Sequence, residues 1–447
     1  MINEKNKIPR EIKNQLINAR SSSFVLANLD ETKKNRVLYD LSAKIRLNSS
    51  LILNENSKDI LNSKILLEKG ELSMSLCERV KLNESKIEQM AIYCESVAEL
   101  PNPTGKILNG TRLDVGLDLY KVSCPIGVIL MIFESRPDAV IQISALGLKS
   151  GNSVILKGGK EASHSNKILV KLIKETLSDN SDFPENSISL VETRVEVEKL
   201  VKLSSNLDLI IPRGSNKLVQ DIQRKSLVPV LGHSDGICHV FLDASADEAK
   251  SMSVVLDSKL NYPAVCNSLE TLLVHQNFPD NWLASILSRM QDSGVELRVC
   301  SHTKKRLRNY KSLKLKNALQ EDWETEYLDL IISVKSVDSA NDAVKHINHF
   351  GSNHTDSIVT EDNDLAEWFL NSVDSAGAFW NASTRFADGF RYGLGAEVGV
   401  SNGKIHARGP VGLEGLTSYK YKLYGSGQGV EEYGEGKRKF IHEKIKV

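Results

Sequence analysis

Hydrophobic residues in the first hundred positions recur at intervals of three and four, most clearly over 12–29 and 37–53, with Lys, Asn and Glu between them. That period predicts amphipathic helices. Pro101, Pro103 and Gly105 end this section. Over 111–122 the apolar positions alternate loosely (Leu113, Val115, Leu117, Leu119), which predicts a strand pair or an extended arm. From Gly127 the pattern becomes strand and helix in strict alternation. Val128–Phe133 is continuously apolar, as in a strand covered on both faces. The next helix is expected to open with Ser135 as N-cap, Pro137 in its first turn and Asp138 complementing the dipole, and to close at Gly151. Further strands are expected at 154–157, 188–192, 208–212, 228–231 and 239–243. Helices fall between them, one over 161–177 and one over 216–226 with Leu218, Val219 and Ile222 on one face. This series implies a doubly wound parallel sheet with ligands at the carboxyl ends of its strands.

A second α/β region begins near Ala246. It opens with a helix over 247–260, stopped by Pro263, then a loop Ala264-Val-Cys-Asn-Ser, then a strand over 269–275. From Gly377 onward glycine is frequent, which implies tight turns and close backbone approach. The tail after Gly429 is charged and is expected to be peripheral or part of a subunit contact.

Composition narrows the classes. The 447 residues carry 57 Lys plus Arg and 57 Asp plus Glu, with 41% hydrophobic residues. Disorder needs low hydrophobicity and high net charge, and a dedicated nucleic-acid binder a basic excess. At roughly 150 residues per domain, two or three domains are expected. Cys77, Cys94, Cys124, Cys238, Cys266 and Cys300 are scattered with no CxxC pair, which excludes a zinc ribbon or disulfide scaffold and points to a reducing compartment. The first residues, MINEKNKIPR, lack the apolar core of a signal peptide, and no apolar run approaches the roughly 20 residues of a bilayer span. A soluble, cytoplasmic protein with no nucleic-acid or membrane partner and no metal site is expected.

Four places carry candidate chemistry. Lys157-Gly-Gly-Lys160 follows a buried strand and opens a helix, so a Lys and exposed backbone N–H groups could hold a cofactor phosphate or ribose; a solvated turn is the bland alternative. Pro212-Arg-Gly-Ser215 stands at another strand end of the same sheet. No GxGxxG is present. Cys266 differs from the other cysteines because it lies on a loop between a helix stop and a strand, where scaffolds present nucleophiles. Its own N–H and the Asn267 side chain are candidate oxyanion donors. His233 and His239, flanking Gly236, are candidate general bases, with a structural role the commoner outcome.

Longer stretches resemble one family. Gly127-Val-Ile-Leu-Met-Ile-Phe-Glu-Ser-Arg-Pro, Leu156-Lys-Gly-Gly-Lys-Glu-Ala, Ile211-Pro-Arg-Gly-Ser-Asn-Lys, Val230-Leu-Gly-His-Ser-Asp-Gly, Tyr262-Pro-Ala-Val-Cys-Asn-Ser-Leu-Glu-Thr and Trp380-Asn-Ala-Ser-Thr-Arg-Phe-Ala-Asp-Gly resemble the gamma-glutamyl phosphate reductases, over about residues 8–424. These belong to the aldehyde dehydrogenase superfamily, and the same reductase is the second half of pyrroline-5-carboxylate synthases. The resemblance implies a Rossmann-type NADP(H)-binding domain over 1–110 and 125–245, a catalytic domain over 246–408 and an oligomerisation arm over 111–124 and 409–447, the lobes closing on a cleft. It implies that Cys266 is the catalytic thiol, that Lys157 and Gly214-Ser215 bind the cofactor, and that Glu326 holds the nicotinamide ribose. Oxidising relatives place an oxyanion Asn where Ser135 stands, so that role falls here to backbone N–H groups or Asn267. They also carry a water-activating Glu at the place of Val230. Its loss fits reduction, because water would destroy a thioester. The implied reaction is NADPH-dependent reduction of L-glutamyl 5-phosphate to L-glutamate 5-semialdehyde, the second step of proline biosynthesis, with Arg136, Arg385 and Arg408 as cations for the substrate. A homo-oligomer and a transient glutamate 5-kinase are the implied partners. An aldehyde-oxidising or CoA-acylating relative, or a non-catalytic scaffold of this fold, are the alternatives.

Overall fold

The structure, a computed structural model, describes residues 10–446 except Ser204, Ser215, His233 and Ser234. Contacts divide the chain into two units. The first runs to Leu231 and takes in Leu394–Gly399 and the chain from Val411; the second is Gly232–Gly393 with Val400–Pro410.

In the first unit the helical spacing yields α1 (Arg10–Leu26), α2 (Glu31–Leu47), α3 (Ser49–Glu68), α4 (Met74–Val80) and α5 (Glu84–Glu99). The single helix expected over 37–53 breaks at Asn48, whose side-chain amide donates to Lys44 O at 2.8 Å and so competes with the helical backbone. Next come β1 (Ile107–Asp114) and β2 (Leu117–Pro125), the expected strand pair. Then follow β3 (Val128–Phe133), α6 (Asp138–Ser150), β4 (Ser153–Lys157), α7 (Ser163–Asp179), β5 (Ile188–Leu190), α8 (Arg194–Leu200), β6 (Leu209–Arg213) and α9 (Asn216–Lys225). Strands β5-β4-β3-β6 form a parallel sheet in that order, with every residue of β3 buried.

Three expectations change here. Ser135 does not cap α6, whose cap position is Pro137 without a side-chain bond. Residues 228–231 give one parallel bridge, Ile210 to Val230, instead of a strand; Pro229 lacks the donor a ladder would need. The strand at 239–243 does not continue this sheet. Residues 232–237 are too short for a crossover to a parallel neighbour, so the chain leaves instead.

That strand, β7 (Cys238–Leu242), belongs to the second unit. After it come α10 (Glu248–Leu260), β8 (Leu269–His275), α11 (Asp280–Asp292), β9 (Glu296–Val299), α12 (Ser301–Arg306), β10 (Leu315–Asn317), β11 (Ile331–Val337), α13 (Ala340–Phe350), β12 (Thr355–Val359), α14 (Asn363–Ser372) and β13 (Gly377–Trp380). A seven-stranded parallel sheet results, ordered β10-β9-β11-β8-β7-β12-β13. The short pair β14 (Val400–Ser401) and β15 (Gly409–Pro410) completes the unit. Back in the first unit, β16 (Thr417–Tyr424) and β17 (Glu443–Ile445) join β2 and β1 in an antiparallel sheet ordered β16-β2-β1-β17. Among the described residues no helix is long and apolar enough to cross a membrane.

Candidate active site

Helix α10 stops at Leu260 and β8 starts at Leu269, so Cys266 sits in the link between them. A turn closed by Ser268 N–H donating to Val265 O at 3.0 Å places Cys266 and Asn267 at its two central positions. Cys266 is half-buried and Asn267 buried. The 3-10 turn Thr384–Phe386 is bonded onto this link. Thr384 Oγ1 donates to Asn267 O at 2.7 Å, Asn267 Nδ2 to Ala387 O at 2.9 Å, and Arg385 Nε to Asn261 O at 2.7 Å.

The other side of the turn is closed by Gly236. A Cβ there would stand 2.5 Å from Cys266 Cα and 2.6 Å from its Cβ, so only glycine allows this approach. Cys238 Sγ lies 3.3 Å from Cys266 O, as donor to it, and burial pushes the Cys238 thiol well above its usual range, so it stays protonated. Among the described residues no hydrogen bond takes up the backbone N–H of Cys266. It is therefore available to an oxyanion at the sulfur.

Arg385 brings positive charge to this turn. Burial holds its guanidinium below its usual value and Arg391 pushes the same way, while Asp388 and Cys266 oppose. Arg391 donates through Nη1 to Arg385 O and steadies it. Arg408 is engaged elsewhere, with Nη2 on Asp374 O at 3.0 Å and Oδ1 at 3.2 Å; no described contact brings it to the Cys266 turn. His239 is engaged elsewhere too, just past the register shift that separates it from Cys238 along β7. There His239 Nδ1 meets Asp356 Oδ1 at 2.8 Å, both groups buried. His233 lies outside the described residues. Glu326 stands in the link before β11, near enough for its charge to raise the Glu270 pKa.

In the first unit, Lys157 ends β4 and donates from Nζ to Gly158 O at 2.5 Å. Gly159 leads into the 3-10 turn Lys160–Ala162. A Cβ at Gly159 would run into the Glu161 carboxylate, 2.6 Å from Oε2. That buried carboxylate takes both donors of Ser135, N–H at 2.7 Å and Oγ at 2.5 Å. Ser135 is itself left-handed, φ 44°, and buried. Its donors are thus spent on holding two strand-end turns together. A cavity of about 660 Å³ opens here, lined among others by Lys157, Lys160, Glu161, Ser135 and Leu218. Gly214 is exposed just after β6, beside Glu134, and Ser215 lies outside the described residues. Arg136 pairs with Asp138 at 2.7 Å. Among the described residues no three His, Cys, Asp or Glu side chains gather to hold a metal ion.

Sequence reasoning missed Glu161, Thr384 and the approach of Gly236. Gly236 carried a faint signal, a glycine just before a buried strand. Glu161 and Thr384 carried none, because their partners lie 26 and 117 residues away.

A parallel sheet with cationic turns at its strand ends in one unit, and in the other unit a parallel sheet that presents a thiol, define a class. The chain belongs to the aldehyde dehydrogenase family, whose family model matches residues 55–303. Its relatives within that class are the gamma-glutamyl phosphate reductases. The one from Haloquadratum walsbyi is 45% identical over 97% of this chain and 95% of its own length. The crystal structure of the Thermotoga maritima gamma-glutamyl phosphate reductase superposes with a TM-score of 0.89 at 36% identity, covering 94% of this chain and 99% of that one. An acetylating aldehyde dehydrogenase from Geobacillus thermoglucosidasius (TM-score 0.64, 15% identity, 96% of this chain and 99% of that one) shares the fold alone. The aldehyde dehydrogenase fold takes a nicotinamide cofactor, and the cavity beside Lys157 fits one. Lys157 and Lys160 border the cavity and offer charge for phosphate, while the Glu161 carboxylate fills the space beside Gly159.

Proposed function

We propose that this enzyme reduces L-glutamyl 5-phosphate to L-glutamate 5-semialdehyde with NADPH, through a thioester on Cys266. The observation that carries the reading is the Cys266 turn, pinned on one side by Thr384–Ala387 and on the other by Gly236, with its own N–H unspent among the described residues. The thiolate attacks the acyl carbon, the Cys266 N–H takes the developing oxyanion, and inorganic phosphate leaves. Asn267 steadies the turn, since its amide is engaged with Ala387. NADPH would supply the hydride that reduces the acyl carbon. The resulting hemithioacetal collapses, releasing the aldehyde and restoring the thiol. No acid occurs over 228–233, so no carboxylate there activates water against the thioester.

Lys157 and Lys160 support a phosphate-rich cofactor, with the Gly214-Ser215 pair that follows β6 in the sequence as a further contact and Glu326 on the ribose. Arg385, and at the end of β3 Arg136, support an anionic substrate. Ser135 acts through Glu161 on the shape of the cofactor turn. Edge strand β16, with Tyr419, Tyr421 and Leu423 exposed, supports a second copy of the chain as partner of an arm formed with β1, β2 and β17. The lability of acyl phosphates supports hand-over from a glutamate 5-kinase, and the need for a reduced Cys266 supports the cytoplasm.

The reaction run in reverse tests this. With glutamate semialdehyde and NADP⁺, NADPH should form continuously only when phosphate is present, and more slowly with NAD⁺ in its place. Equal rates without phosphate would point to aldehyde oxidation, and a requirement for CoA to an acylating relative.

A further inference from the structure

The Cys266 link is bracketed by a buried ion pair that the reaction as described does not use. Lys259, in the last turn of α10, and Glu270, second residue of β8, meet at 2.8 Å, and neither side chain exposes any surface. They close the base of the loop like a clasp, one partner at each end. Glu270 has a second task. Its Oε1 accepts the Leu328 N–H at 3.2 Å, and Leu328 is a left-handed residue, φ 53°, two positions beyond Glu326. A non-glycine residue in that region is strained by about 1–3 kcal/mol and persists only where its surroundings hold it. One carboxylate therefore fixes both the nucleophile link and the Glu326 link.

Stability alone is a poor account of this pair. Two charges out of water lose most of their mutual attraction to desolvation, and apolar residues of similar volume commonly serve as well or better. The strain of desolvation is visible here: burial is the largest influence on both groups, pushing Glu270 up to about 7 and Lys259 below its usual value.

We propose that Lys259 and Glu270 are positioning residues that lock the Cys266 turn to the Glu326 segment, so that the nucleophile and the cofactor-holding carboxylate keep one alignment. This rests on the reading of Cys266 as nucleophile and of Glu326 as a cofactor contact.

The test compares Glu270→Gln with the double variant Lys259→Met/Glu270→Leu, which removes both charges and refills the space. In Glu270→Gln, kcat should fall about tenfold or more with the substrate KM within about threefold. Alkylation of Cys266 by iodoacetamide without cofactor, mapped by mass spectrometry, should slow by about fivefold or more, because thiol alignment and not substrate binding is lost. Combined with Glu326→Gln, the kcat losses should be clearly less than multiplicative. The double apolar variant should recover the thermal midpoint but not kcat or the alkylation rate. Wild-type kcat and wild-type alkylation in that variant would overturn the proposal, and so would failure of both variants to fold, which would make the pair a stability element. Alkylation is read without turnover, so the positioning role can fail or stand separately from the reaction assigned to Cys266.

Discussion

The turn after β4 in the first unit and the turn before β8 in the second are built in opposite ways. The first leaves its cations at the surface: Lys160 is largely exposed and Lys157 borders the 660 Å³ cavity. The buried polar contact described there is Ser135 with Glu161. The second is tied down by buried or part-buried bonds from Thr384, Asn267, Arg385 and Cys238, with glycine backbone pressed against it. The difference fits the roles proposed for the two turns. A large anionic cofactor needs area and charge and tolerates small adjustments. A nucleophile needs its sulfur fixed against an acyl carbon, where an error of about 1 Å costs about a hundredfold in rate.

That contrast orders the expected effects of substitution. Cys266→Ser should lose at least about 10⁴-fold in phosphate-dependent turnover while NADPH binding, read by fluorescence titration, is unchanged. Gly236→Ala should lower kcat about a hundredfold with little change in the KM for NADPH, because its methyl group forces the Cys266 backbone to move. Lys157→Ala should do the reverse, raising the KM for NADPH about tenfold with kcat at saturation nearly unchanged. If Lys157→Ala instead lowered kcat alone, the contrast between a binding turn and a positioning turn would be wrong.

The smallest effect concerns a buried cation outside both turns. Lys34 is fully buried, bonded to Thr104 Oγ1 at 3.1 Å, and held down to about 8, chiefly by burial and then by Lys149. Its folded value lies below its unfolded value, so above about pH 8 the unfolded chain holds the extra proton and stability rises with pH toward about 10.5. Lys34→Met should remove that rise, on the order of 2 kcal/mol, and leave turnover untouched. Thermal midpoints between pH 7 and pH 10 check it.

Much of this was legible in the sequence. The run Val128–Phe133 announced a doubly covered strand, and Pro263 with the apolar run at Leu269 announced the link that holds Cys266. A link of that kind is a local feature, set by a stop and a start close together. What hid was non-local. Nothing near Ser135 shows that its donors go to Glu161, and nothing near Arg408 shows that Asp374 takes its guanidinium. Strand β7 reads as apolar in any sheet, so its place beside β8 and β12 depended on chain lengths that periodicity does not weigh. Lys259 and Glu270 look like ordinary surface charges until the fold buries them against each other.

The central claim is a covalent thioester on Cys266 with no hydrolytic escape. Mixing the enzyme with glutamate semialdehyde and NADP⁺ without phosphate, in a rapid-mixing experiment, tests it most directly. A burst of one NADPH per active site is expected, then a stall, with a glutamyl adduct on Cys266 by mass spectrometry and release when phosphate is added. Continuous turnover without phosphate, or a burst with no adduct on Cys266, would contradict it.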